Sequence, residues 1–439
     1  MANPFIIALG KGIRALARLR GSGAGGGSAL PGLVVERLSP QFATRILERL
    51  PHGVVLVSGT NGKTTTTKAV AELLASQGMR VFTNNTGSNF MRGVISALLA
   101  RVTLLGRLDA DIAVLELDEA HAVRFVQAIR PRYALLLNVM RDQLDRYGEI
   151  DRTAQFLATV AEGTEGCVVA NREDRRIAAL CSRGSLRASL RWFGLAPDLR
   201  ARFPQDDDLW VEGRHEVPAS AEAQPDADVV LCEAEGSRVA LLVAGEEGRL
   251  HADLALKGLY NAYNAAAALA VARAVIEGEG LGPPCTRELM RALQEVRSAF
   301  GRGEAVCVDG HSVELLLVKN PGGFRLALDS FDAAGHLTMI AINDNTADGH
   351  DMSWLYDVSF VGLRATGVAM VSGVRGFDMA LRLAYDGVPV EAVECGLRSA
   401  LDAFLALPSE LPRRIYCTYT AMLELRRLMA GKTPIEKVS

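Results

Sequence analysis

The residues with the clearest chemical potential form a short glycine-rich run, Ser58-Gly59-Thr60-Asn61-Gly62-Lys63-Thr64-Thr65. Glycine lets backbone N–H groups approach phosphate oxygens, and a helix that starts at the lysine adds favourable partial charge. The Lys63 ammonium can reach the β- and γ-phosphates of a nucleotide, and the Thr64 hydroxyl suits Mg²⁺. Val57 stands where the longer phosphate-loop motif has glycine, so this is the shorter GTxGKT form. A plain glycine-rich turn is the weaker interpretation, because a predicted strand precedes the run and a predicted helix follows it.

A carboxylate that could share a metal ion with this loop is Glu116, near the end of the predicted strand Asp111–Leu117. A carboxylate at the C-terminal edge of a sheet that also carries a phosphate loop can hold Mg²⁺. The other interpretation is a surface acid in the cluster of Glu116, Asp118 and Glu119.

A third candidate site is the acidic segment 344–351, which reads DNTADGHD. Its acids suggest a calcium loop, but the twelfth residue counted from Asp344 is Leu355, where an EF-hand has glutamate. A turn rich in aspartate and glycine at the end of a strand is the plainer interpretation. The segment by itself therefore assigns no function.

The elements that must position these residues alternate short apolar strands with amphipathic helices. Strand Val54–Val57 and helix Lys63–Gln77 flank the glycine-rich run. A Gly-Glu-Glu-Gly turn between Ser237–Val243 and Arg249–Leu256 predicts a hairpin. The alternation predicts βαβ units and a mostly parallel sheet. Further strands are predicted over Tyr133–Val139, Gly166–Ala170, Ser312–Val318, Leu337–Ile342 and Val368–Val371, and further helices over Asp151–Ala161, Asn261–Glu277, Thr286–Ser298, Phe377–Tyr385 and Thr420–Met429.

The composition of the 439-residue chain is that of a globular protein, with 49% hydrophobic and 23% charged residues. A net charge of −3 supplies no basic field, which argues against nucleic acid as a partner. The 7 cysteines are scattered and never spaced CxxC, which favours free thiols in a reducing cytoplasm. No run of about 18 apolar residues occurs, so no membrane span is predicted.

The first residues carry a basic amphipathic segment. Between Pro4 and Arg20 apolar residues recur near one helical face, and basic residues lie mostly opposite. The glycine- and serine-rich stretch Gly21–Ser28 predicts a flexible linker. Two interpretations stay open: the helix packs on its own domain, or it rests on an anionic membrane surface.

Taken in order, these blocks resemble the Mur ligase family, and within it the MurT group. GTNGKTTT at 59–66 has the Mur-type form, and LELDE at 115–119 stands where the family has its Mg²⁺ glutamate. The other similar blocks are NVMRDQLDRYGE at 138–149, GLYNAYNAAAA at 258–268, FGRGE at 300–304, KNP at 319–321, NDNTADGHDMSW at 343–354 and SGVR at 372–375.

The resemblance implies an α/β fold built from two domains. A Mur ligase central P-loop domain with a parallel-rich sheet would cover residues 51–298, and a C-terminal Rossmann-like α/β domain would cover 299–439. Residues 1–50 would form the N-terminal helix, the linker and a lead-in, without the UDP-binding domain of other Mur ligases.

The resemblance also implies a cytoplasmic subunit of a heterodimeric lipid II isoglutaminyl synthase, which acts in peptidoglycan synthesis. Such an enzyme uses ATP and Mg²⁺ to convert the α-carboxylate of D-glutamate in the lipid II stem peptide to an acyl phosphate. Ammonia from a GatD-type glutaminase partner then forms the carboxamide. Lys63, Mg²⁺ on Thr64 and Glu116, and Arg302 would neutralise the developing charge.

Two further roles come from the resemblance alone. Asn261 and Asn264 would contact the adenine, although an asparagine at the start of a helix is also a routine cap. Asp351 matches the aspartate that completes a Cys-His-Asp triad with the cysteine and histidine of the glutaminase, where a carboxylate orients the imidazole. Asp348 and Asp344 stay open for this role, and Asp348 is the nearer rival.

The chain departs from the family pattern in its metal-binding residues. Many MurT proteins carry a four-cysteine zinc ribbon, whereas the region of about 195–240 has only Cys232, so no zinc is expected. Gln143 replaces a metal-binding histidine of amino-acid-adding Mur ligases, which leaves a second Mg²⁺ site unassigned. No carbamylated lysine is identified, and Lys257 is a weak candidate.

Two alternative functions remain open at this point. The first is an amino-acid-adding Mur-type ligase, against which the acidic C-terminal segment and the missing UDP-binding domain argue. The second is a non-catalytic nucleotide-binding scaffold for a glutaminase.

Overall fold

The computed structural model describes residues 3–19, 30–84, 90–141, 150–183, 186–203, 209–211, 214–216, 225–256, 258–297, 302–331 and 333–432. Within these ranges the strands form a nine-stranded sheet, a six-stranded sheet and a two-stranded hairpin. Helices connect most of the parallel strands in both large sheets, which confirms the predicted α/β fold.

The chain begins with three helices that pack beside the first sheet. They are α1 (Pro4–Leu19), α2 (Leu30–Leu38) and α3 (Phe42–Leu47). Helix α1 packs closely at Gly10, where an added Cβ would lie 2.8 Å from the Val35 side chain and 2.9 Å from that of Leu99. The helix therefore rests on its own domain through one face. The sequence pattern predicted α1 but neither α2 nor α3.

The first sheet has the strand order β11-β10-β9-β6-β5-β4-β1-β3-β2. Strands β2 to β6 and β9 run parallel to β1, and β10 and β11 are antiparallel to their neighbours. Every residue of β1, β3, β4 and β5 is buried, because helices cover both faces of the sheet. The strands are β1 (Val54–Ser58), β2 (Val81–Thr83), β3 (Ile112–Glu116), β4 (Tyr133–Leu136), β5 (Cys167–Asn171), β6 (Ser189–Leu195), β9 (Val229–Glu235), β10 (Arg238–Val243) and β11 (Arg249–Asp253).

The helices of this part position the glycine-rich loop and the segments beside it. They are α4 (Lys63–Ser76), α5 (Met91–Arg101), α6 (Glu119–Ala128), α7 (Ile150–Gly163), α8 (Arg175–Cys181), α9 (Pro197–Arg200), α10 (Leu259–Gly278) and α11 (Thr286–Glu295). Helix α10 is buried around most of its circumference, and its alanines 265–268 are fully buried. These small side chains let α10 lie close to α4, which brings its first turns beside the glycine-rich loop.

The second sheet has strand order β12-β13-β17-β14-β15-β16, and all its pairs except β12–β13 are parallel. Its core on one face includes Phe324, Phe360 and Tyr416. The strands are β12 (Arg302–Val308), β13 (His311–Leu317), β14 (Leu337–Ala341), β15 (Met370–Ser372), β16 (Val393–Glu394) and β17 (Arg413–Cys417). The helices are α12 (Pro321–Ser330), α13 (Gly376–Tyr385), α14 (Leu397–Leu405) and α15 (Tyr419–Ala430), with 3₁₀ turns at Ser353–Asp357 and Val361–Leu363.

The predicted hairpin is present as β10 and β11. Strand β9 pairs antiparallel with β10 on its other side, which the turn signals did not predict. The described part of the irregular stretch 196–227, which lies between β6 and β9 in sequence, includes α9 and a hairpin of β7 (Leu209–Val211) and β8 (Arg214–Glu216). Residues 298–301 lie outside the described ranges, so the domain division at 298/299 stays a prediction.

In the part of the chain that is described, no helix has both the length and the apolarity to cross a bilayer.

Candidate functional site

The glycine-rich run forms a tight loop that joins β1 to α4. Gly59 and Gly62 have φ angles of 134° and 90°, which side-chain-bearing residues rarely adopt. A Cβ on Gly62 would also lie only 2.4 Å from Oδ1 of Asn264. Glycine is therefore required at position 62 both by the backbone conformation and by the close approach of α10.

The Lys63 side chain is buried and folds back over its own loop. Its ammonium donates to the carbonyl oxygens of Gly59 at 2.6 Å and Thr60 at 3.3 Å. Asp118 Oδ1 lies 3.1 Å from the same nitrogen, and Glu119 Oε2 lies 3.7 Å away. This geometry places a positive charge directly beside the glycines that would approach a phosphate.

Side chains from outside the run hold the loop in shape. Asn138 accepts from the Asn61 backbone N–H at 2.8 Å and donates to the Asn61 carbonyl at 3.0 Å. The Thr60 hydroxyl donates to Glu119 Oε1 at 3.1 Å and accepts from the Met140 N–H at 3.0 Å. The segment after β4 therefore braces the loop. The sequence of the glycine-rich run could not predict that Asn138 contacts the loop, because the two are far apart in the chain. Asn138 does begin one of the blocks similar to the Mur family.

The expected Mg²⁺ ligands lie on neighbouring elements at the same edge of the sheet. Glu116 ends β3 in register with Val57 of β1, and Thr64 lies in the first turn of α4. The Asn84 side chain pairs with both the N–H and the carbonyl of Glu116, at 3.0 and 2.9 Å, and so fixes the end of this strand.

A hydroxyl and a carboxylate are hard oxygen donors that suit Mg²⁺, which takes its other ligands from phosphates and water. No group of three or more His, Cys, Asp or Glu residues that could hold a metal occurs among the described residues. The donor set therefore fits a cation that arrives with a nucleotide better than a cation held by the protein alone.

A cleft of about 100 Å³ opens beside the loop, between the two large sheets. Asn61, Gly62, Asn261 and Asn264 form its polar side. Its apolar side comes from the second sheet and α12, and consists of Leu316, Leu317, Leu326, Ala327 and Phe331. Amide groups opposite an aliphatic and aromatic wall suit a flat heteroaromatic base.

Neither asparagine of α10 caps its helix. The N-cap residue is Gly258, without a side-chain cap hydrogen bond, and Asn261 and Asn264 lie inside the first two turns. Asn264 Nδ2 is 3.5 Å from Asn261 Oδ1, and both side chains border the cleft. The capping interpretation is therefore wrong, and the adenine-contact interpretation stays a prediction with suitable geometry.

The two parts of the chain meet directly at the phosphate loop. Asn61 and Asn320 exchange side-chain amide hydrogen bonds at 3.2 and 3.1 Å. Arg141, which follows β4, pairs with Asp357 of the second part at 2.5 Å. Arg302 begins β12 with its backbone paired to Leu316, and its side chain lies outside the described part of the structure.

A buried carboxyl supports the bracing segment from behind. Asp174 caps α8 by accepting from the Arg176 and Ile177 N–H groups, and its second oxygen accepts from the Val139 N–H at 2.7 Å. Burial raises the pKa of Asp174 to about 6. Burial likewise raises the pKa of nearby Tyr263, whose hydroxyl donates to Asn171.

In the acidic segment, two of the three aspartates are engaged in structural contacts. Asp344 accepts from two nitrogens of Arg375, both at 2.8 Å. Asp348 is 3% exposed and accepts from the N–H and hydroxyl of Thr420 at 2.8 and 2.5 Å, which ties the segment to α15. Burial raises the pKa of Asp348 above its ordinary value.

Asp351 is only half-buried and accepts from the Ser353 N–H at 2.9 Å. Hydrogen bonds from Ser353 lower the pKa of Asp351, so the carboxylate stays ionised at neutral pH. Among the three rivals, Asp351 is the carboxylate whose surroundings leave it able to accept from a group on another molecule.

Two known protein domains match parts of the chain. Residues 57–196 match the Mur ligase middle domain, and residues 317–422 match the MurT ligase C-terminal domain. The chain is 31% identical to the UDP-N-acetylmuramoylalanine--D-glutamate ligase of Aromatoleum aromaticum, over 98% of this chain and 82% of that protein. The chain belongs to the Mur ligase family.

This Mur ligase is also similar in sequence to a second curated protein and in structure to a solved Mur ligase. It is 29% identical to the lipid II isoglutaminyl synthase (glutamine-hydrolyzing) subunit MurT of Streptococcus pneumoniae, over 94% of each chain. The MurF ligase of Thermotoga maritima, solved in complex with ADP, shares the fold with a TM-score of 0.63 and 14% identity, over 91% of this chain and 84% of that one. The Mur ligase α/β fold expected from the sequence is confirmed.

This Mur ligase exposes an apolar surface close to the acidic segment. The surface, here the aromatic stripe, consists of Val374, Phe377, Leu381 and Tyr385 on and just before α13. Phe377 is 71% and Tyr385 70% exposed, and the Tyr385 ring lies 6.2 Å from that of Tyr356 in the adjoining 3₁₀ turn. Arg375, which holds Asp344, lies between the first two members of the stripe. Sequence periodicity alone could not identify the aromatic stripe, because α13 carries apolar residues on both its buried and its exposed side.

Some expectations about metals in this Mur ligase stay predictions. Cys232 lies in β9 and is half-buried, and the absence of zinc is still expected from the cysteine count. Gln143 and Lys257 lie outside the described residues. Asp118 and Glu119, first considered as surface acids, instead lie against Lys63 and Thr60.

Proposed function

We propose that this Mur ligase is the ATP-dependent subunit of a lipid II isoglutaminyl synthase. It would convert the α-carboxylate of D-glutamate in the lipid II stem peptide to the carboxamide, giving D-isoglutamine. Ammonia would come from a GatD-type glutaminase partner in a heterodimer. The MurT-type C-terminal domain and the similarity to the Streptococcus pneumoniae subunit support this role in peptidoglycan synthesis.

The observation that carries the proposal is the distinct environment of Asp351. Its neighbours Asp344 and Asp348 are engaged by Arg375 and Thr420, whereas Asp351 is ionised and accessible. A carboxylate in this state can accept from imidazole Nδ1–H, fix the tautomer and stabilise the imidazolium. Because the aromatic stripe adjoins this segment, a docked partner could bring its cysteine and histidine to Asp351.

The loop and cleft support ATP as the second substrate. The adenine would lie against Asn261, Asn264 and the apolar wall of the cleft, with the phosphates at the glycines. A Mg²⁺ ion bound by Thr64 and Glu116 would screen the phosphate charge. Lys63 would turn from the loop carbonyls to the β- and γ-phosphates, and Arg302 would add a further positive charge. The ADP in the Thermotoga maritima MurF complex is consistent with this assignment.

The proposed reaction has two steps. A carboxylate oxygen of the D-glutamate attacks the γ-phosphorus, and the bond to the β–γ bridging oxygen breaks, which releases ADP and leaves an acyl phosphate. Ammonia then attacks the acyl carbon, phosphate leaves with the electron pair of the C–O bond, and the nitrogen loses a proton. Activation is necessary because a free carboxylate has no adequate leaving group. The positive charge of Lys63 stabilises the transferring phosphoryl group.

The test is mass spectrometry of lipid II after incubation with this protein, a GatD-type partner, ATP, Mg²⁺ and glutamine. We expect a carboxylate-to-carboxamide mass change. Asp351→Asn should abolish the conversion with glutamine, and ammonium chloride should restore it. Loss with both nitrogen sources would move Asp351 from the glutaminase site to ligation or folding, and no conversion by the unaltered protein would overturn the proposed reaction.

An amino-acid-adding ligase is the second candidate, because the Aromatoleum aromaticum relative is a D-glutamate ligase that aligns with nearly the whole chain. Incubation with UDP-N-acetylmuramoylalanine, D-glutamate and ATP tests it directly. We expect no peptide product, since the MurT-type domain occupies the C-terminal part. Formation of the D-glutamyl product would replace our proposal with this one.

A nucleotide-binding scaffold without ligase activity is distinguished by Lys63→Ala. We expect this substitution to lower ammonium-dependent amidation at least ~100-fold, because the charge beside the phosphates is lost. Lys68→Ala on the same helix is the matched control, since Lys68 lies one turn further on and pairs only weakly with Glu72 at 3.8 Å. Full amidation by Lys63→Ala would favour the scaffold.

A further inference from the structure

The first helix exposes a row of large apolar side chains on one side. Phe5, Leu9 and Leu16 follow one another at helical spacing and are 84%, 47% and 61% exposed. The opposite side faces the domain, with Ile7 buried, Gly10 against Val35 and Leu99, and Arg14 donating to the Ser96 carbonyl. An amphipathic helix that served only to cover its own domain would bury the large apolar side chains. Helix α1 buries Ile7 but leaves three of its large apolar side chains exposed.

A second apolar protrusion lies at the same end of the domain. Arg14 contacts Ser96 and Gly10 contacts Leu99, so α1 and α5 are antiparallel and the start of α1 lies near the end of α5. A tight turn follows α5, closed by the Thr103 N–H to the Arg107 carbonyl at 2.9 Å. Its tip exposes Leu104 and Leu105 to solvent.

The sequence segments that contain these residues carry mostly basic charges. The first 35 residues contain Lys11, Arg14, Arg18 and Arg20 and no acidic residue, although the whole chain has a net charge of −3. Arg101 and Arg107 flank the exposed leucines of the turn and are themselves exposed. The acidic residues nearest in sequence to α1 and to the turn already form ion pairs, Glu36 with Arg92 and Asp109 with Arg80.

We propose that the outer side of α1 and the Leu104–Leu105 turn form a docking surface for an anionic lipid bilayer. Phe5, Leu9, Leu16 and the turn leucines would enter the boundary between headgroups and acyl chains, and the flanking basic groups would contact anionic headgroups. A second copy of the chain is the poorer occupant, because face-to-face pairing would bring the basic groups of both copies together.

The inference deepens the proposed function, because a lipid-linked substrate such as lipid II is presented at a membrane surface. A peripheral contact would hold the ligase in the plane where its substrate diffuses and would raise the local concentration of both. The contact requires no membrane-spanning segment. It answers the question that the sequence left open, since α1 both packs on its own domain and offers its apolar side to a bilayer.

The test is sedimentation of the full chain with vesicles that contain no lipid II. We expect binding to phosphatidylcholine vesicles that contain phosphatidylglycerol, weaker binding to pure phosphatidylcholine, and a decrease in high salt because exposed charges are screened. The triple substitution Phe5→Ser, Leu9→Ser and Leu16→Ser should lower the partition coefficient by roughly tenfold or more. Leu242→Ser with Leu411→Ser is the matched control, since both leucines are exposed elsewhere, and it should bind as the unaltered chain does.

Unchanged binding of the triple variant, or no binding of the unaltered chain to anionic vesicles, would overturn the proposal. A dimer in sedimentation equilibrium that the triple substitution converts to a monomer, without vesicle binding, would show a self-association surface instead. Thermal unfolding and ATP affinity of the triple variant verify that it is folded. Amidation of detergent-dispersed lipid II reports on the proposed function separately, so either proposal can fail alone.

Discussion

At the scale of single residues, Gly62 shows how tightly the nucleotide loop is constrained. Alanine at this position would be strained at a φ of 90° and would meet Asn264. We expect Gly62→Ala to weaken ATP binding about tenfold or more, measured by titration calorimetry. Gly78→Ala is the control, because Gly78 has a φ of 85° but open space around it. Equal ATP affinities for the two variants would contradict the role of the close approach.

Asp348 and Asp351 differ in what they do for the fold. Both carboxylate oxygens of Asp348 accept hydrogen bonds from Thr420, and Asp348→Asn replaces one of these oxygens with an NH₂ group. One of the two hydrogen bonds is therefore lost, and the free energy of unfolding should fall by about 1–3 kcal/mol. Asp351→Asn should change it by less than about 0.5 kcal/mol, because this side chain is only half-buried. Denaturant titration measures both. A similar loss for Asp351→Asn would make that residue structural and weaken its assignment to the glutaminase site.

At the scale of elements, α13 presents the aromatic stripe beside the acidic segment. Truncation of exposed aromatic anchors commonly costs about 2 kcal/mol or more in a protein interface. We therefore expect Phe377→Ser with Tyr385→Ser to weaken binding of a GatD-type partner by roughly thirtyfold, measured by titration calorimetry. Glutamine-dependent amidation should fall while ammonium-dependent amidation persists.

The control for the aromatic stripe is Leu411→Ser, an exposed apolar residue on another segment of the same domain. It should leave partner binding unchanged. Unaltered partner affinity in the Phe377 and Tyr385 double variant would place the interface elsewhere on the molecule.

At the scale of the whole molecule, the contact between Asn61 and Asn320 joins the two domains over the phosphate loop. Asn320→Asp keeps the oxygen that accepts from the Gly323 N–H and caps α12, but it replaces the donor to Asn61 with an oxygen. The added negative charge would lie beside the loop and repel the phosphates. We expect the KM for ATP in ammonium-dependent amidation to rise about tenfold.

Asn345→Asp is the matched control for this substitution. It introduces the same charge change in the same domain, at an exposed position whose side chain donates to the Thr420 hydroxyl rather than to the loop. Its KM for ATP should stay close to that of the unaltered protein. Equal shifts in the two variants would indicate a general effect of charge and not the contact between domains.

Residue types and their spacing were sufficient to predict the phosphate loop, the alternating α/β pattern and the Mur-type order of motifs. This was possible because the loop chemistry resides in consecutive residues, whose conformation follows from two glycines between a strand and a helix. Helices α4 and α10 were predicted within a few residues of their observed ends, α10 because its alanine-rich sequence has a high helix propensity. Helices α2, α3 and α5 were among those not predicted, because their short apolar segments lack distinct boundary signals.

The folded chain established which residues distant in sequence contact one another. It placed Asn138 and Asn320 on the loop, separated Asp351 from Asp344 and Asp348, and showed that the asparagines of α10 do not cap their helix. It also left a row of large apolar side chains of α1 exposed. Periodicity identifies the two sides of a helix, but packing with residues distant in the chain determines which side meets the protein and which meets its surroundings.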